Sequence, residues 1–215
     1  SQFMKAFPLR SLLCVSLFAI LIGCGTSTNE PDAPSSPTSS KGQQIAAMKR
    51  ATDFHSYSKP EEARVVHLDW TAQVDFDTKV IEGIARYDIA PAVDAKRILF
   101  DTDGLTISSV EVDGVAVPFE MGPALPHIGS SLSIPIAPES QSVSIAYSTS
   151  PDAGALLWVE GASPFLFTQS QAILARTWIP CQDSPGIRFT YDADVQVPEG
   201  LLAMMSATIP AATAP

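Results

Sequence analysis

Apolar and polar residues alternate through much of the chain after about residue 53, and this pattern predicts β-structure. One long example runs from 187 to 197. There, Ile187, Phe189, Tyr191, Ala193, Val195 and Val197 alternate with Arg188, Thr190, Asp192, Asp194 and Gln196. Because successive side chains of a strand point to opposite faces, this segment predicts a long strand with one buried face and one solvated face.

Shorter segments of the same character are separated by turn residues. The predicted strands are 65–76, 80–89, 98–100, 110–112, 115–117, 132–136 and 143–147. We expect a hairpin at Asp113-Gly114, because this dipeptide suits the positive φ angles of a type I′ turn. We also expect 132–136 to pair with 143–147. The regular spacing, with no long amphipathic helix, predicts one all-β, sandwich-like domain over 53–207, followed by a divergent tail at 208–215.

The N-terminal residues have the pattern of a targeting segment and not of a folded element. Residues 1–23, with Met4 as the natural start, combine the positive charges of Lys5 and Arg10 with an apolar stretch at 11–23. That stretch is too short to span a bilayer comfortably, so it predicts an export signal peptide.

The signal segment ends in Leu-Ile-Gly-Cys, which resembles the lipobox of bacterial lipoproteins. In such a sequence the cysteine, here Cys24, is lipidated and becomes the mature N-terminus. Residues 24–52 are rich in Ser, Thr, Pro and Gly and predict a flexible linker. We therefore expect an exported, membrane-anchored lipoprotein, in the outer membrane where the cell has two, facing the periplasm or the cell surface. An ordinary signal peptide or an uncleaved anchor is the alternative.

Charge narrows the choice of partners. The formal net charge is −10, which argues against nucleic acid, because a nucleic-acid site needs a basic surface. Without the signal and the linker, roughly 150 residues remain, which is enough for one domain with its own core.

Two glutamines, Gln169 and Gln171, stand two residues apart, and Ala172 follows them. If this stretch is extended, the period of two puts both side-chain amides on one face, where they can bind a polar ligand without carrying charge. The alternative is that the amides hold neighbouring backbone in a loop. The candidate substrate-binding residues are Gln169, Gln171 and Ala172.

The sequence predicts no catalytic residue and no metal ligand. The three histidines are His55, His67 and His127. None has a second histidine four residues later, which excludes a helical two-histidine zinc site. We interpret His67, beside Asp69 in a strand, as a structural or surface histidine. Cys181 lacks a strongly basic environment, so we interpret it as a buried structural thiol and not as a nucleophile or a metal ligand.

Four short motifs occur in order along the predicted β-domain. They are HLDW at 67–70, YSTSP at 147–151, Q-x-Q-A at 169–172 and A-R-x-x-x-P-C-x-D-x-P at 175–185. Together they resemble the N-terminal β-domain of the zinc aminopeptidases of the leukotriene A hydrolase and aminopeptidase N type. The similarity extends from about residue 56 to 207. Each motif alone is weak, whereas their ordered succession over this length is specific.

The resemblance implies a saddle-shaped all-β module that forms part of the substrate cleft of a zinc metalloaminopeptidase. Such a hydrolase removes N-terminal residues from peptides. In the family, zinc polarises the scissile carbonyl and activates water, and a glutamate acts as general base. The glutamine that matches Gln171 helps to hold the free α-amino group of the substrate, and Gln169 and Ala172 would line the same pocket.

The family's catalytic domain carries an H-E-x-x-H zinc motif, which this sequence lacks. The resemblance therefore implies a truncated, lipid-anchored member of the family that is inactive alone. It implies no cofactor in this chain and a zinc ion in the full-length enzyme. The expected partners are a peptide N-terminus, the missing zinc catalytic domain and the membrane. The alternative is a stand-alone surface lipoprotein that uses the β-module to bind a peptide or a glycan.

We predict that Cys24 is the lipid-carrying N-terminus of the mature protein. One acyl chain gives only marginal membrane binding, so firm anchoring needs several chains on this residue. Intact-mass spectrometry of membrane-extracted protein should show a chain that starts at Cys24 with added lipid mass. A mature form that begins after Cys24, or that still contains Met4, would contradict the prediction.

Overall fold

The computed structural model describes residues 5–6 and 53–209. The predictions of a signal peptide, a lipidated Cys24 and a flexible linker concern residues that, apart from 5–6, lie outside this description. Those three predictions therefore stay predictions.

The regular secondary structure of the described residues is almost all β-strand. The strands are β1 Lys5–Ala6, β2 Ala63–Asp75, β3 Val80–Pro91, β4 Arg97–Thr102, β5 Thr106–Val112, β6 Val115–Ala116, β7 Glu120–Met121, β8 Ser130–Pro135, β9 Ser142–Ser148, β10 Leu156–Val159, β11 Phe165–Thr168 and β12 Thr190–Gln196. One short 3₁₀ helix, Ala175–Thr177, follows β11. Across residues 53–209, no helix has the length and apolar character needed to cross a membrane.

Three sheets organise these strands. The main sheet has the order β1-β12-β2-β3-β9-β5-β6, the second sheet has the order β4-β8-β7, and β10 and β11 form a separate hairpin. Alternate residues of the two larger sheets enter one shared core, for example Trp70 and Tyr87 from the main sheet and Phe100 from the second. The rings of Tyr87 and Phe100 lie 5.0 Å apart. The prediction of an all-β, sandwich-like fold is confirmed.

The predicted type I′ hairpin is also present. Asp113 and Gly114 both have positive φ angles, 50° and 78°, between the paired strands β5 and β6. The side chain of Asp113 adds further order, because its Oδ1 accepts hydrogen bonds from the backbone N–H groups of Gln141 and Ser142. This carboxylate therefore joins the hairpin turn to the start of β9.

The prediction that 132–136 pairs with 143–147 is wrong. β8 pairs with β4 and β7 in the second sheet, whereas β9 pairs with β3 and β5 in the main sheet. Pro135 and Pro138 have no backbone N–H and cannot continue a ladder between the two strands. A turn closed by Ser140 and Ala137 then carries the chain from one sheet to the other.

The last strand is shorter than its alternating pattern predicted. β12 begins at Thr190, after a turn at Pro185-Gly186, and lies parallel to β2 with Asp192 opposite Asp69. Its inward residues, Ala193 and Val195, belong to the core. The period of two therefore identified the buried face correctly but not the first residue of the strand.

A close contact inside the main sheet depends on a glycine. Trp70 donates its indole N–H to the Tyr147 hydroxyl at 2.9 Å, and both side chains are buried. Burial raises the pKa of Tyr147, so its hydroxyl stays neutral. A Cβ placed on Gly83 would lie 2.8 Å from the ring carbon Cζ and from the hydroxyl oxygen of Tyr147. The position of Tyr147 therefore requires a residue without a side chain at 83.

We predict that Gly83→Ala destabilises the domain by about 1–3 kcal/mol, because the added methyl group forces Tyr147 out of a packed core position. Urea unfolding followed by tryptophan fluorescence measures the change. Gly186→Ala is the matched control, since a Cβ there meets no atom within 4 Å. Equal unfolding midpoints for the two variants would show that the Tyr147 contact does not constrain residue 83.

Candidate functional site

The predicted substrate-binding residues lie where the hairpin β10–β11 leads into the 3₁₀ helix. The backbone N–H of Gln169, one residue after β11, donates to the carbonyl oxygen of Ala155 at 2.9 Å. A turn begins at Gln171, and the peptide bond between Gln171 and Ala172 is cis. All three predicted residues are exposed. Residues 169–172 therefore form one exposed segment, which we call the glutamine turn.

The two glutamines do not share an extended face, because the chain turns at Gln171. Oε1 of Gln169 instead accepts a hydrogen bond from the backbone N–H of Gln171 at 3.0 Å. Gln169 thus holds neighbouring backbone, which is the alternative that the sequence left open. Within residues 53–209, the side-chain amide of Gln171 makes no hydrogen bond to protein. It can donate to or accept from a ligand.

Ser170 fastens the glutamine turn to the core. Its carbonyl oxygen accepts from the N–H of Leu174 at 2.9 Å, and its Oγ accepts from the indole N–H of Trp178 at 3.0 Å. The Trp178 ring packs edge-on against Trp70, with ring centroids 5.3 Å apart. The conformation of the turn is therefore coupled to an aromatic pair within the sandwich.

Arg176, the middle residue of the 3₁₀ helix, is buried and carries most of the polar contacts behind the turn. Its Nε donates to Oδ2 of Asp183 at 3.0 Å, and its terminal nitrogens donate to the carbonyl oxygens of Ile128 at 2.7 Å and Asp183 at 3.2 Å. One terminal nitrogen lies 3.8 Å from Oδ1 of Asp101. One guanidinium therefore connects three separate segments of the chain.

Asp101, near the end of β4, is completely buried. Its ionised carboxylate can accept hydrogen bonds but cannot donate them. Oδ2 accepts from the hydroxyl of Ser56 at 2.6 Å and from the N–H of Asp183 at 2.9 Å, while Oδ1 accepts from the N–H of Tyr57 at 2.6 Å. Burial raises the pKa of Asp101, and these donors together with Arg176 oppose that rise. We call Arg176, Asp101 and Asp183 the buried ion network.

Gln182 and Cys181 complete the corner after the 3₁₀ helix. The Gln182 side chain is buried, with Oε1 accepting from the N–H of Val65 at 2.9 Å and Nε2 donating to the carbonyl oxygen of Ala63 at 2.9 Å. This amide ties the corner to β2. Cys181 is buried and has a free thiol whose pKa burial raises. A neutral thiol without access to solvent agrees with the structural role expected of Cys181.

An apolar groove of about 750 Å³ runs beside the hairpin and Trp178. Its walls include Phe165, Phe167, Tyr191 and Met205. The side chains of Phe165 and Phe167 are 56% and 47% exposed, well above the exposure of core aromatics. The groove could therefore hold apolar side chains of a ligand or of another domain.

The residues of this chain do not fit the catalytic zinc that the resemblance implies for the full-length enzymes. His55, His67 and His127 are not brought together, and the sequence has no H-E-x-x-H segment. One group of three potential ligands does form among the described residues, namely His67, Asp69 and Asp192. It contains a single histidine and lies on β2 and β12, whereas the glutamine turn follows β11.

Most of the described domain is covered by a known family. A family model described as the peptidase M1 N-terminal domain matches residues 64–212. Among curated relatives, leucine aminopeptidase 2 of Candida albicans is 35% identical over 139 residues, covering 63% of this chain and 22% of the relative. Leukotriene A-4 hydrolase of Xenopus laevis is 33% identical over 167 residues, covering 72% of this chain and 27% of the relative. The chain thus spans about a quarter of the length of these relatives.

Solved structures give the same result. The leukotriene A4 hydrolase of Saccharomyces cerevisiae superposes with a TM-score of 0.65 at 25% identity, over 72% of this chain and 26% of that protein. An M1 zinc metallopeptidase of Deinococcus radiodurans superposes with a TM-score of 0.52 at 18% identity, over 64% of this chain and 33% of that protein. At this lower identity the second similarity concerns the fold alone.

We predict that Asp101→Asn destabilises the domain by about 3 kcal/mol, because the new amide group faces donors and leaves the buried Arg176 with a single carboxylate. Chemical unfolding monitored by circular dichroism measures the loss. Glu160→Gln removes the carboxylate of an exposed pair with Lys79 and should leave the unfolding curve nearly unchanged. The buried ion network would lose its assigned importance if both variants unfolded like the wild type.

Proposed function

Because this chain belongs to the peptidase M1 family through that family's N-terminal domain, we propose that it forms one wall of the substrate cleft of a zinc aminopeptidase. The zinc ion and the general base would come from a catalytic domain that matches no part of this sequence. The role of the β-domain is to receive the N-terminus of a peptide. The observation that carries this proposal is the exposed side-chain amide of Gln171, which has no hydrogen-bond partner among the described residues, on a turn held by a part-buried hydrogen bond of Ser170.

The glutamine turn has the properties of an ammonium-binding element. A peptide N-terminus carries a positive charge and N–H donors, and the side-chain oxygen of Gln171 can accept one of them. The Gln169 oxygen is already engaged by the backbone of Gln171, so Gln169 supports the turn and lines the pocket. Ala172 follows with a small side chain and keeps the approach open.

Rigidity behind the turn supports the same role. Holding a substrate in a reactive position accelerates a reaction only if the holding group is fixed before binding. Ser170 is bonded to Trp178, and Arg176 is bonded to Asp183 and to the carbonyl oxygen of Ile128. These contacts hold Ser170 and the 3₁₀ helix, which flank Gln171, to the sandwich. A fixed distance from the ammonium group to the zinc ion would limit cleavage to the first peptide bond.

Membrane anchoring is the second part of the proposal. The lipobox-like segment at Cys24 and the polar residues 25–52 support a lipid anchor with a tether. Such an arrangement would hold the peptidase at an exported membrane surface, where it meets peptides from outside the cytoplasm.

One observation favours a second candidate function. The apolar groove beside Phe165 and Phe167 is open to solvent and large enough for several side chains. A surface lipoprotein that binds an extended peptide, without cleaving it, would use this groove and need no zinc. Peptide binding that depends on Phe167 and not on Gln171 would distinguish this candidate from the peptidase.

We predict that Gln171→Ala lowers kcat/KM by about 10- to 150-fold in a chimera of this β-domain with the zinc domain of a matched aminopeptidase. A lost charge-assisted hydrogen bond of about 1.5–3 kcal/mol corresponds to that range. Hydrolysis of an aminoacyl anilide measures the effect. Gln169→Ala is the matched control and should cost less, because its oxygen bonds to backbone.

A merely structural role for Gln171 predicts a different pair of results. The Ala variant would then have a lower melting temperature, while the folded fraction kept the kcat/KM of the unmodified chimera. That outcome would remove the assignment of Gln171 to substrate binding and leave the family membership intact.

A further inference from the structure

A histidine and two carboxylates meet on the outer face of the main sheet, away from the residues of the glutamine turn. His67 and Asp69 stand two residues apart on β2, so their side chains share a face. Asp192 stands directly opposite Asp69 on the parallel strand β12. The parallel register thus joins residues that are 123 or more positions apart in the sequence.

The distances within this group match those between the ligands of one metal ion. Nε2 of His67 lies 3.3 Å from Oδ1 of Asp69 and 3.4 Å from Oδ2 of Asp192. All three ligand atoms lie within 4.8 Å of one another. In a tetrahedral zinc site, bonds of about 2.0–2.2 Å place neighbouring ligand atoms about 3.3–3.6 Å apart.

The atoms that face away from the centre are held by other residues. Nδ1 of His67 lies 2.7 Å from the Thr190 hydroxyl, and Oδ2 of Asp69 accepts from Arg86 at 2.8 Å. In the absence of a cation, the tautomer with its proton on Nε2 can donate to Oδ1 of Asp69 at 3.3 Å. A cation is bound by the other tautomer, which donates its Nδ1 proton to Thr190 and leaves the Nε2 lone pair free. Outer partners of this kind orient the ligands of metal sites.

Asp192 supplies an observation of a different kind. Its Oδ2 faces His67, but its Oδ1 is buried and has no hydrogen-bond partner among the described residues. A buried carboxylate oxygen without a donor is costly, and a cation that Asp192 binds through both of its oxygens offsets that cost. Arg86, which donates to Asp69, also lies 3.4 Å from Oδ1 of Asp88.

We infer that His67, Asp69 and Asp192 bind a zinc-type divalent cation that ties β12 to β2. An imidazole ligand favours zinc over calcium or magnesium, which prefer oxygen ligands alone. Water fills the fourth position. The site is independent of the proposed peptidase role and is not a replacement for a catalytic zinc. The sequence predicted no metal ligand, because a zinc site was expected from two histidines on one helix. Ligands that meet across two paired strands form no such local motif.

The test is a calorimetric titration of the full 215-residue chain with zinc chloride. The chain carries Cys14→Ser and Cys24→Ser, so that the buried Cys181 is its one remaining thiol. We expect one equivalent of zinc with micromolar affinity and a rise in melting temperature, because a ligand of the folded state stabilises it. Shifts of the His67 ring signals in NMR spectra would place the ion at this cluster.

Three variants test the assignment of the ligands. His67→Gln and Asp192→Asn should each weaken zinc binding by at least about 10-fold, and Thr190→Val, which removes only the outer partner, by about 10-fold. Glu82→Gln is the matched control, since it removes an exposed carboxylate of the same sheet outside the cluster. Its affinity should stay within about 2-fold of the unaltered chain.

Two outcomes would overturn the inference. One is an absence of heat, of melting shift and of NMR change up to millimolar zinc. The other is zinc binding that Asp192→Asn leaves unchanged in a variant whose melting temperature without metal equals that of the parent chain. Loss of binding in Thr190→Val with an unchanged fold would support the site even if His67→Gln failed to fold.

Discussion

The interaction on which the site depends most is the buried ion pair between Arg176 and Asp183, with Asp101 behind it. Burying these charges removes their hydration, which costs several kcal/mol per ion unless hydrogen bonds replace it. Here the replacement is nearly complete, because Asp101 accepts from Ser56, Tyr57 and Asp183 while Arg176 donates to a carboxylate and two carbonyl oxygens. These bonds are directional, so they specify one arrangement of the surrounding loops.

This network explains how an irregular segment can present a ligand-binding residue. The glutamine turn has no regular secondary structure, and a strand ladder cannot fix it. Hydrogen bonds from Trp178 to Ser170 and from Gln169 to Ala155 fix its position. The N–H of Leu174 also donates to Ser170, and Arg176 of the buried ion network follows two residues after Leu174. A buried, satisfied cluster behind an exposed amide is a physically sufficient way to preorganise a polar binding site.

Regular features of the fold were predictable from the sequence, and features that depend on distant residues were not. The alternation in β2, β3 and β12 and the Asp113-Gly114 turn follow from local chemistry. The pairing of β8 with β4 and β7 does not follow from local chemistry, because it depends on how distant strands assemble into two sheets. The roles of Asp101, Gln182 and Asp192 were missed for the same reason: their partners lie 44 or more residues away along the chain.

If a fixed glutamine turn receives a peptide N-terminus, a crystal structure of the chimera with a bound, uncleaved dipeptide should show the contact. The turn should keep the conformation of the free domain, and the side-chain oxygen of Gln171 should lie within hydrogen-bond distance of the α-ammonium group. The bonds of Arg176 to Asp183 and Ile128 should persist. A dipeptide whose ammonium group is bound entirely by other residues, with Gln171 directed into solvent, would show that the turn does not receive the N-terminus.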